Sequence, residues 1–304
     1  MSSQSATTSE STVSRGHTHD TAPTRFVEVN GIRFAYRRFG NPIGTPIVLL
    51  QHFMGNLDNY DPAITNAFAT SREVILTDNA GVGLSTGQAP DTVAGMARDA
   101  ASLIDALVLG QVDLFGFSMG GYVAQQIAVD RPELVRRLVL VGTGPRGGDG
   151  MDQLAPDVAP LFGTVYDPQD LMWLPIFFSP SEASQAAGRR FLDRIRTRTE
   201  DRDAPVSEAT VAAHLAAARE WGAAAPGSFD YLKGIPHRTL VVNGSNDIVV
   251  STVNSYILQQ NLPNAELILF PDSNHGSHFQ FTEQFNQHLS DFIDLGADPP
   301  ILVG

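Results

Sequence analysis

The chain has 304 residues, of which 42% are hydrophobic and 17% charged, with a net charge of −13 and a sequence pI near 4.9. This composition is typical of a globular protein whose core is large enough to need no disulfide or metal. The acidic excess would repel a phosphate backbone and disfavours nucleic acid as a partner, and the lack of cysteine excludes disulfides, thiolate catalysis and cysteine-bound metals.

The first segment of the chain, residues 1–24, is rich in serine and threonine and has no apolar run. Because burial cannot offset the entropy of ordering such a segment, the composition predicts a disordered tail and not a secretory signal. The imidazoles of His17-Thr18-His19-Asp20 could contact a metal, but we interpret this stretch as part of the solvated tail. No apolar run in the chain approaches a membrane span, so we expect no membrane partner. The lack of cysteine fits a reducing cytoplasm, and we expect a cytoplasmic location.

After the tail, a hairpin is followed by short apolar runs. Residues 26–36 have the alternating pattern of two strands on either side of Asn30-Gly31, a turn dipeptide typical of two-residue hairpins. Apolar runs without alternation are typical of strands covered on both faces, and six of them lie at 47–50, 73–77, 112–117, 138–141, 239–242 and 267–270. Stretches with the apolar spacing of helices lie between these runs. The pattern predicts an α/β fold with a mostly parallel, doubly wound sheet of about eight strands.

One interval between predicted strands, from residue 141 to residue 239, is much longer than the others. A sheet connection needs far fewer residues, so the excess must carry its own structure. We predict a helical cap over residues 145–230, inserted between the two parts of the core at 25–144 and 231–304. Its helical stretches lie at 181–198 and 207–223, and a final helix is predicted over His278–Ile293.

The most informative stretch is Gly116-Phe117-Ser118-Met119-Gly120-Gly121, which lies between a predicted strand and a predicted helix. Strand, G-x-S-x-G, helix is the pattern of a nucleophile elbow, a sharp turn that lifts the serine hydroxyl clear of the backbone. The pattern requires glycine at positions 116 and 120, because a Cβ there would collide where the strand and the helix pass closely. The backbone N–H of Met119 would bind an oxyanion at the helix N-terminus.

Two later strands each end in a residue that could activate this serine. Asp247 follows the strand at 239–242, and His275 follows the strand at 267–270. Because the carboxyl ends of parallel strands meet at one edge of a sheet, Ser118, Asp247 and His275 are predicted to converge as nucleophile, orienting acid and base. His278 is a rival base, although we place it in the final helix, and Asp272 is a weaker rival acid that more plausibly caps a turn.

These motifs resemble the α/β-hydrolase fold family, in the branch of cap-bearing esterases, cofactor-free haloperoxidases and perhydrolases, lactonases and C–C bond hydrolases. The resemblance spans roughly Phe26 to Leu295. It is carried by the elbow, by the segment 78–85, which matches the family's D-x-x-G-x-G-x-S loop, and by the segments 243–247 and 274–276.

The resemblance also implies the second oxyanion donor. In the family a His-Gly pair follows the first parallel strand, and the next residue donates its N–H. Here Gln51-His52 occupies the pair, which makes Phe53 the donor and puts His52 where the family has glycine. His52 is expected either to form a local hydrogen bond that shapes this loop or to contact substrate or a catalytic water.

The sequence therefore predicts a serine hydrolase that cleaves a small or medium apolar ester or lactone. Its expected apolar pocket is formed by His52, Met54, Trp173, Phe177, Phe178 and Trp221. No cofactor and no metal are expected, because no nucleotide-binding or zinc motif occurs; homo-oligomerisation stays open. The rivals are a perhydrolase or haloperoxidase, a C–C bond hydrolase that would hold a substrate carboxylate with Arg146, Arg189 or Arg190, and a non-catalytic ligand-binding module.

Overall fold

The computed structural model describes residues 16–294, and within them an eight-stranded sheet forms the centre of the fold. The strands run in the order β1-β2-β4-β3-β5-β6-β7-β8. β1 and β2 are antiparallel to their neighbours, and β3 to β8 are parallel to one another. The bounds are β1 Arg25–Val29, β2 Ile32–Gly40, β3 Ile47–Leu50, β4 Glu73–Thr77, β5 Val112–Phe117, β6 Val135–Val141, β7 Arg238–Gly244 and β8 Ala265–Phe270.

The predicted hairpin and the six predicted parallel strands are confirmed. Asn30 and Gly31 both have positive φ, at 52° and 82°, which is the backbone of the two-residue turn that this dipeptide favours. In β3 the side chains of Ile47 and Leu49 enter one apolar core, and those of Val48 and Leu50 enter the other. The unbroken apolar runs therefore reflect burial on both faces of the sheet.

Helices cover both faces of the sheet. Val123 and Ile127 of α3 pack in one core, whereas Ile64 of α1 and Phe285 of α10 pack in the other. The helix bounds are α1 Pro62–Ala69, α2 Val93–Ala106, α3 Met119–Asp130, α4 Ala159–Gly163, α5 Trp173–Phe177, α6 Glu182–Ile195, α7 Glu208–Gly222, α8 Val253–Asn261, α9 Ser277–Gln280 and α10 Thr282–Asp294. No helix in the described range 16–294 has the length and apolar character needed to cross a bilayer.

Four helices, α4 to α7, lie in the long interval between β6 and β7, and we refer to residues 145–230 as the cap segment. Ser181 and Ser207 are the N-caps of α6 and α7, and each side chain accepts a hydrogen bond from a backbone N–H in the first turn. The predicted final helix is divided. α9 ends before Phe281, whose backbone leaves the helical region, and α10 begins at Thr282.

The prediction of a disordered tail is wrong for the residues that the structure describes, 16–24. His19 is buried, and its Nδ1 lies 2.9 Å from Thr65 Oγ1. Arg198 of the cap segment donates to the carbonyl oxygen of Ala22 at 2.9 Å, and Arg37 of β2 donates to Thr24 Oγ1 at 3.2 Å. Partners distant in sequence order this segment. Residues 1–15 lie outside the described part of the chain.

Burial of His19 makes the stability of the protein sensitive to acid. Burial, and then the neighbouring guanidinium groups, lower the pKa of His19 from 6.5 to about 3. The unfolded chain therefore binds a proton that the folded chain does not, so this contribution is present above pH 6.5 and is lost as pH falls. We expect the unfolding free energy of His19→Gln, measured by urea denaturation between about pH 7 and 4, to fall less steeply than that of the wild type.

The control for this measurement is His288→Gln, because His288 is exposed and its replacement should leave the slope unchanged. Equal slopes in His19→Gln and the wild type would contradict the burial of a neutral imidazole at position 19.

Candidate active site

Ser118 occupies a strained turn between β5 and α3, with φ 54° and ψ −119°. The reason is the close approach of backbone on both sides of it. A Cβ on Gly116 would collide with the carbonyl of Gly120, and a Cβ on Gly120 would collide with the carbonyl of Leu50 at the end of β3. The steric role predicted for these two glycines is confirmed. The turn leaves Ser118 at the N-cap of α3, where its own side chain makes no capping bond.

The structure brings the three predicted side chains together. His275 Nδ1 lies 2.8 Å from Asp247 Oδ2, and His275 Nε2 lies 2.8 Å from Ser118 Oγ. The three residues follow the carboxyl ends of β5, β7 and β8, which lie along one edge of the sheet with β6 between β5 and β7. All three are buried, at 5% exposure or less for Ser118 and His275 and 7% for Asp247.

The remaining oxygen of Asp247 has its own partners. Asp247 Oδ1 accepts from the backbone N–H groups of Val249 and Val250, at 2.8 and 3.0 Å. These bonds orient the carboxylate and aim its second oxygen at His275 Nδ1. His275 therefore presents an unprotonated Nε2 to the serine hydroxyl, which is the tautomer that a general base needs.

The loop after β3, residues 51–56, is braced by its own side chains. Gln51 Nε2 donates to the carbonyl of Asn56 at 3.0 Å, and His52 Nδ1 donates to the carbonyl of Phe53 at 2.8 Å. Across residues 16–294, no acceptor takes the N–H of Phe53 or that of Met119. Phe53, Met119 and Ser118 line one cavity, so two N–H groups are available beside the Ser118 hydroxyl.

That cavity has a volume of about 290 Å³ and is mainly apolar. This volume is near the lower end of the range for small-molecule sites. The core supplies Phe53, Ser118, Met119, Tyr122, Val249 and Val250. The cap segment supplies Met151, Asp152, Gln153, Leu154, Ala159, Phe162, Leu215, Ala218 and Arg219. The three polar cap residues are exposed and therefore stand at the mouth.

A family profile for the alpha/beta hydrolase fold matches residues 45–282. The chain belongs to the alpha/beta hydrolase fold family. The match spans most of the sheet, from before β3 to the residues after the histidine loop, together with the cap segment.

Similar proteins within the alpha/beta hydrolase family carry different names. An alpha/beta hydrolase fold protein from Chitinophaga pinensis has a solved structure that is 41% identical, with a TM-score of 0.86; the alignment covers 91% of this chain and 99% of that one. A 2-hydroxymuconate semialdehyde hydrolase from Pseudomonas putida is 29% identical over 82% of this chain and 87% of its own length. A poly(3-hydroxyalkanoate) depolymerase from Ectopseudomonas oleovorans is 29% identical over 82% and 84%.

The aromatic residues predicted to line the pocket lie elsewhere in this hydrolase. Trp173 and Phe177 pack against the ring of His52, with centroids 4.8 and 5.3 Å away, and the Phe177 carbonyl accepts from the N–H of Gly276 at 2.9 Å. Phe178 packs on α6. These rings form a wall behind the histidine loop. They do not line the cavity beside Ser118, where the sequence analysis expected them, because their mutual packing buries them.

Trp221, His52 and Met54 also lie outside the cavity lining. Trp221 stacks on Tyr122, which lines the cavity, with ring centroids 5.6 Å apart. His52 makes the local hydrogen bond that was one of its two expected roles, and burial lowers its pKa to about 3, which keeps the ring neutral. Met54, with φ 63°, lines a separate cavity of about 130 Å³.

The rival catalytic residues do not join the triad. His278 is buried against Phe117, with ring centroids 4.5 Å apart, and its Nδ1 has no described partner. Asp272 Oδ2 accepts from Ser181 Oγ at 2.6 Å, at the surface. Arg146 donates to Gln126 at 2.6 Å. The other two arginines proposed for a substrate carboxylate, Arg189 and Arg190, are exposed on α6, and none of the three lines the cavity.

Sequence reasoning missed most of the cavity lining. Tyr122 lies one helical turn after Ser118, and Val249 and Val250 come soon after Asp247. Their spacing in the sequence therefore predicts that they lie near the site. No comparable signal marks Met151 to Phe162, because that part of the cap segment reaches the site only through tertiary packing.

The elbow provides a direct test of the steric argument. Gly120→Ala places a methyl group against the Leu50 carbonyl, so we expect a loss of unfolding free energy of about 1–3 kcal/mol or more, measured by urea denaturation. Gly163→Ala is the matched control, because a Cβ there meets nothing within 4 Å. Equal stability of the two variants would refute the crowding at Ser118.

Proposed function

We propose that the chain is a serine hydrolase that cleaves a small or medium apolar carboxylic ester or lactone through an acyl-enzyme. The single observation that carries this proposal is the unbroken chain of 2.8 Å contacts from Asp247 through His275 to Ser118 Oγ, at the wall of an apolar cavity. A hydroxyl is a weak nucleophile until a positioned base takes its proton, and this arrangement supplies that base.

The reaction begins when Ser118 Oγ attacks the carbonyl carbon and its proton passes to His275 Nε2. The negative charge moves to the carbonyl oxygen, which accepts hydrogen bonds from the N–H groups of Phe53 and Met119; loss of one such donor typically reduces turnover about 100- to 1000-fold. The tetrahedral species then expels the alkoxide, which takes the proton from His275. Asp247 stabilises the imidazolium that forms in between.

Water completes the cycle by the same route. His275 removes a proton from water as the oxygen attacks the acyl carbon, and it returns that proton to Ser118 Oγ when the acid leaves. Each step moves one proton between the imidazole and an oxygen, so no cofactor is needed.

The cavity supports a preference for apolar acyl groups of limited size. Its inner walls are Met119, Tyr122, Leu215, Ala218 and Val250, and its volume is about 290 Å³. A charged group placed there would lose hydration without a partner. A short or medium apolar acyl chain instead displaces water from the apolar walls, which is favourable along its whole length.

Hydrolytic C–C bond cleavage is a second candidate, favoured by one residue. Arg219 lies at the mouth of the cavity and could pair with the carboxylate of a vinylogous keto acid. Assaying such an acid beside neutral esters separates the two reactions, because only the former depends on the guanidinium.

Labelling with a fluorophosphonate tests the nucleophile. We expect the wild type to label and Ser118→Ala to lose both labelling and ester turnover, the latter by up to about 10⁶-fold. Asp247→Asn should reduce turnover by about 10⁴-fold, because His275 then adopts the wrong tautomer. Ser251→Ala, which removes an exposed serine, should match the wild type. A folded wild type that neither labels nor hydrolyses p-nitrophenyl esters would favour a ligand-binding module.

A substitution in the cavity wall tests the acyl preference. Ala218→Phe fills part of the cavity, so kcat/KM for p-nitrophenyl hexanoate should fall about tenfold or more relative to that for the acetate. Ala216→Phe on the same helix is the matched control, since Ala216 is exposed and does not line the cavity. If both variants keep the wild-type ratio, the acyl chain binds elsewhere.

A further inference from the structure

Two carboxylates from different parts of the fold face each other outside the triad. Asp78 follows β4 in the core and is 1% exposed, and Asp203 lies between α6 and α7 in the cap segment. Both approach Gly83: a Cβ at that position would collide with Asp78 Oδ2 and would lie 2.7 Å from Asp203 Oδ1. Gly83, with φ 53°, leaves the space in which the two groups meet.

The facing oxygens have no conventional donors. Among residues 16–294, no N–H or hydroxyl group bonds Asp78 Oδ2 or either carboxylate oxygen of Asp203. Two ionised carboxylates this close in a buried site repel each other strongly, so one of them keeps a proton. Burial, followed by the charge of Asp203, raises the pKa of Asp78 well above its usual range. Burial, followed by the charge of Asp58, raises the pKa of Asp203.

Asp78 is connected to residues 51–58, the segment that carries the Phe53 N–H. Its other oxygen, Oδ1, accepts from the N–H of Leu57 at 2.9 Å. The cap segment holds the same loop: Asn56 Nδ2 donates to the carbonyl of Ala204 at 3.3 Å, and the Asp203 N–H donates to Asp58 Oδ2 at 2.7 Å. The carboxylate pair therefore lies where residues 51–58, the core and the cap segment meet.

We propose that Asp78 and Asp203 share one proton, donated from Asp78 Oδ2 to the Asp203 carboxylate, and that this pair holds residues 51–58 against the cap segment. Asp78 and Asp203 are thus positioning residues for the Phe53 N–H. The consequence for turnover rests on the proposed hydrolase function, whereas the shared proton does not.

The other charged and titratable groups around the pair are engaged with one another. Arg37 of β2 pairs with Asp58 at 2.8 Å, and Arg198 pairs with Asp201 at 3.3 Å. Arg202 Nε lies 3.9 Å from Asp58. Burial raises the pKa of Tyr60, so this phenol stays neutral. In the described part of the chain no cation lies within salt-bridge distance of the Asp78 or Asp203 carboxylate. The charge of Arg37 lowers the pKa of both groups, but burial outweighs it.

The shared proton makes the stability of the protein decrease as pH rises. The folded state holds a proton at a pH where an unfolded aspartate has released it, so its contribution to stability is present at low pH and is lost as pH rises through the raised pKa of Asp78. Beyond that point the two carboxylates repel, the cap segment separates from residues 51–58, and the Phe53 N–H loses its position.

The test compares pH profiles of kcat/KM for p-nitrophenyl acetate. Asp78→Asn imitates the protonated acid, because its amide oxygen can accept from the Leu57 N–H and its nitrogen can donate to Asp203. We expect wild-type kcat/KM to fall about tenfold on the alkaline side and the Asp78→Asn profile to stay flat there. Asp203→Ala should lower kcat more than it changes KM. Glu200→Gln, which removes an exposed charge from the same segment, should follow the wild type.

A second measurement does not depend on turnover. The unfolding free energy of the wild type, relative to that of Asp78→Asn, should decrease as pH rises, whereas the difference between the wild type and Glu200→Gln should stay constant. Superimposable stability curves for the wild type and Asp78→Asn would overturn the shared proton. A pH-dependent difference in a protein that hydrolyses no ester would uphold the proton and remove the proposed function.

Discussion

The backbone crossing at Ser118 is the contact on which the site depends. The turn after β5 passes so close to the end of β3 that only glycine fits at positions 116 and 120. A serine with positive φ costs about 1–3 kcal/mol unless its surroundings enforce that conformation, and here buried strands on both sides enforce it. The same contact places the first N–H of α3 beside the loop that follows Leu50, so the Ser118 hydroxyl and the N–H groups of Phe53 and Met119 are positioned by the same packing.

The parallel register supplies the rest of the triad. β5 to β8 are consecutive neighbours in the sheet, so the loops after them lie along one edge, and side chains more than a hundred residues apart come within hydrogen-bonding distance. The backbone donors at Val249 and Val250 hold Asp247, and the aromatic wall of Trp173 and Phe177 encloses the neighbouring loops. The three side chains are therefore positioned by neighbouring backbone and aromatic groups.

The cap segment contributes differently from the core. Its residues 151–162 and 215–219 form much of the cavity, whereas its large aromatic side chains pack on one another and on His52. The connection to the core combines this apolar packing with a set of buried charges around Asp58, Asp78 and Asp203. Buried carboxylates are tolerated only when they are paired or protonated, which is the basis on which we propose a shared proton between Asp78 and Asp203.

Predictions from composition were wrong where contacts with residues distant in sequence determine the structure of a segment. Residues 16–24 have the composition of a disordered segment, yet Thr65, Arg37 and Arg198 order them through hydrogen bonds. The aromatic residues of the cap segment were expected in the cavity because they are apolar residues of the predicted cap. Nothing in a linear pattern distinguishes a ring that faces a cavity from one that faces another ring.

The sequence by itself determined the strands, the hairpin turn, the elbow and the three residues at the strand ends, because each depends on local sterics, on side-chain period or on the general rule that parallel strands share a carboxyl edge. Only the tertiary structure decided which side chains line the cavity, that residues 16–24 are ordered, and that Asp78 meets Asp203. These are contacts between segments far apart in the chain, and their energies arise from burial and desolvation that exist only once the segments have packed.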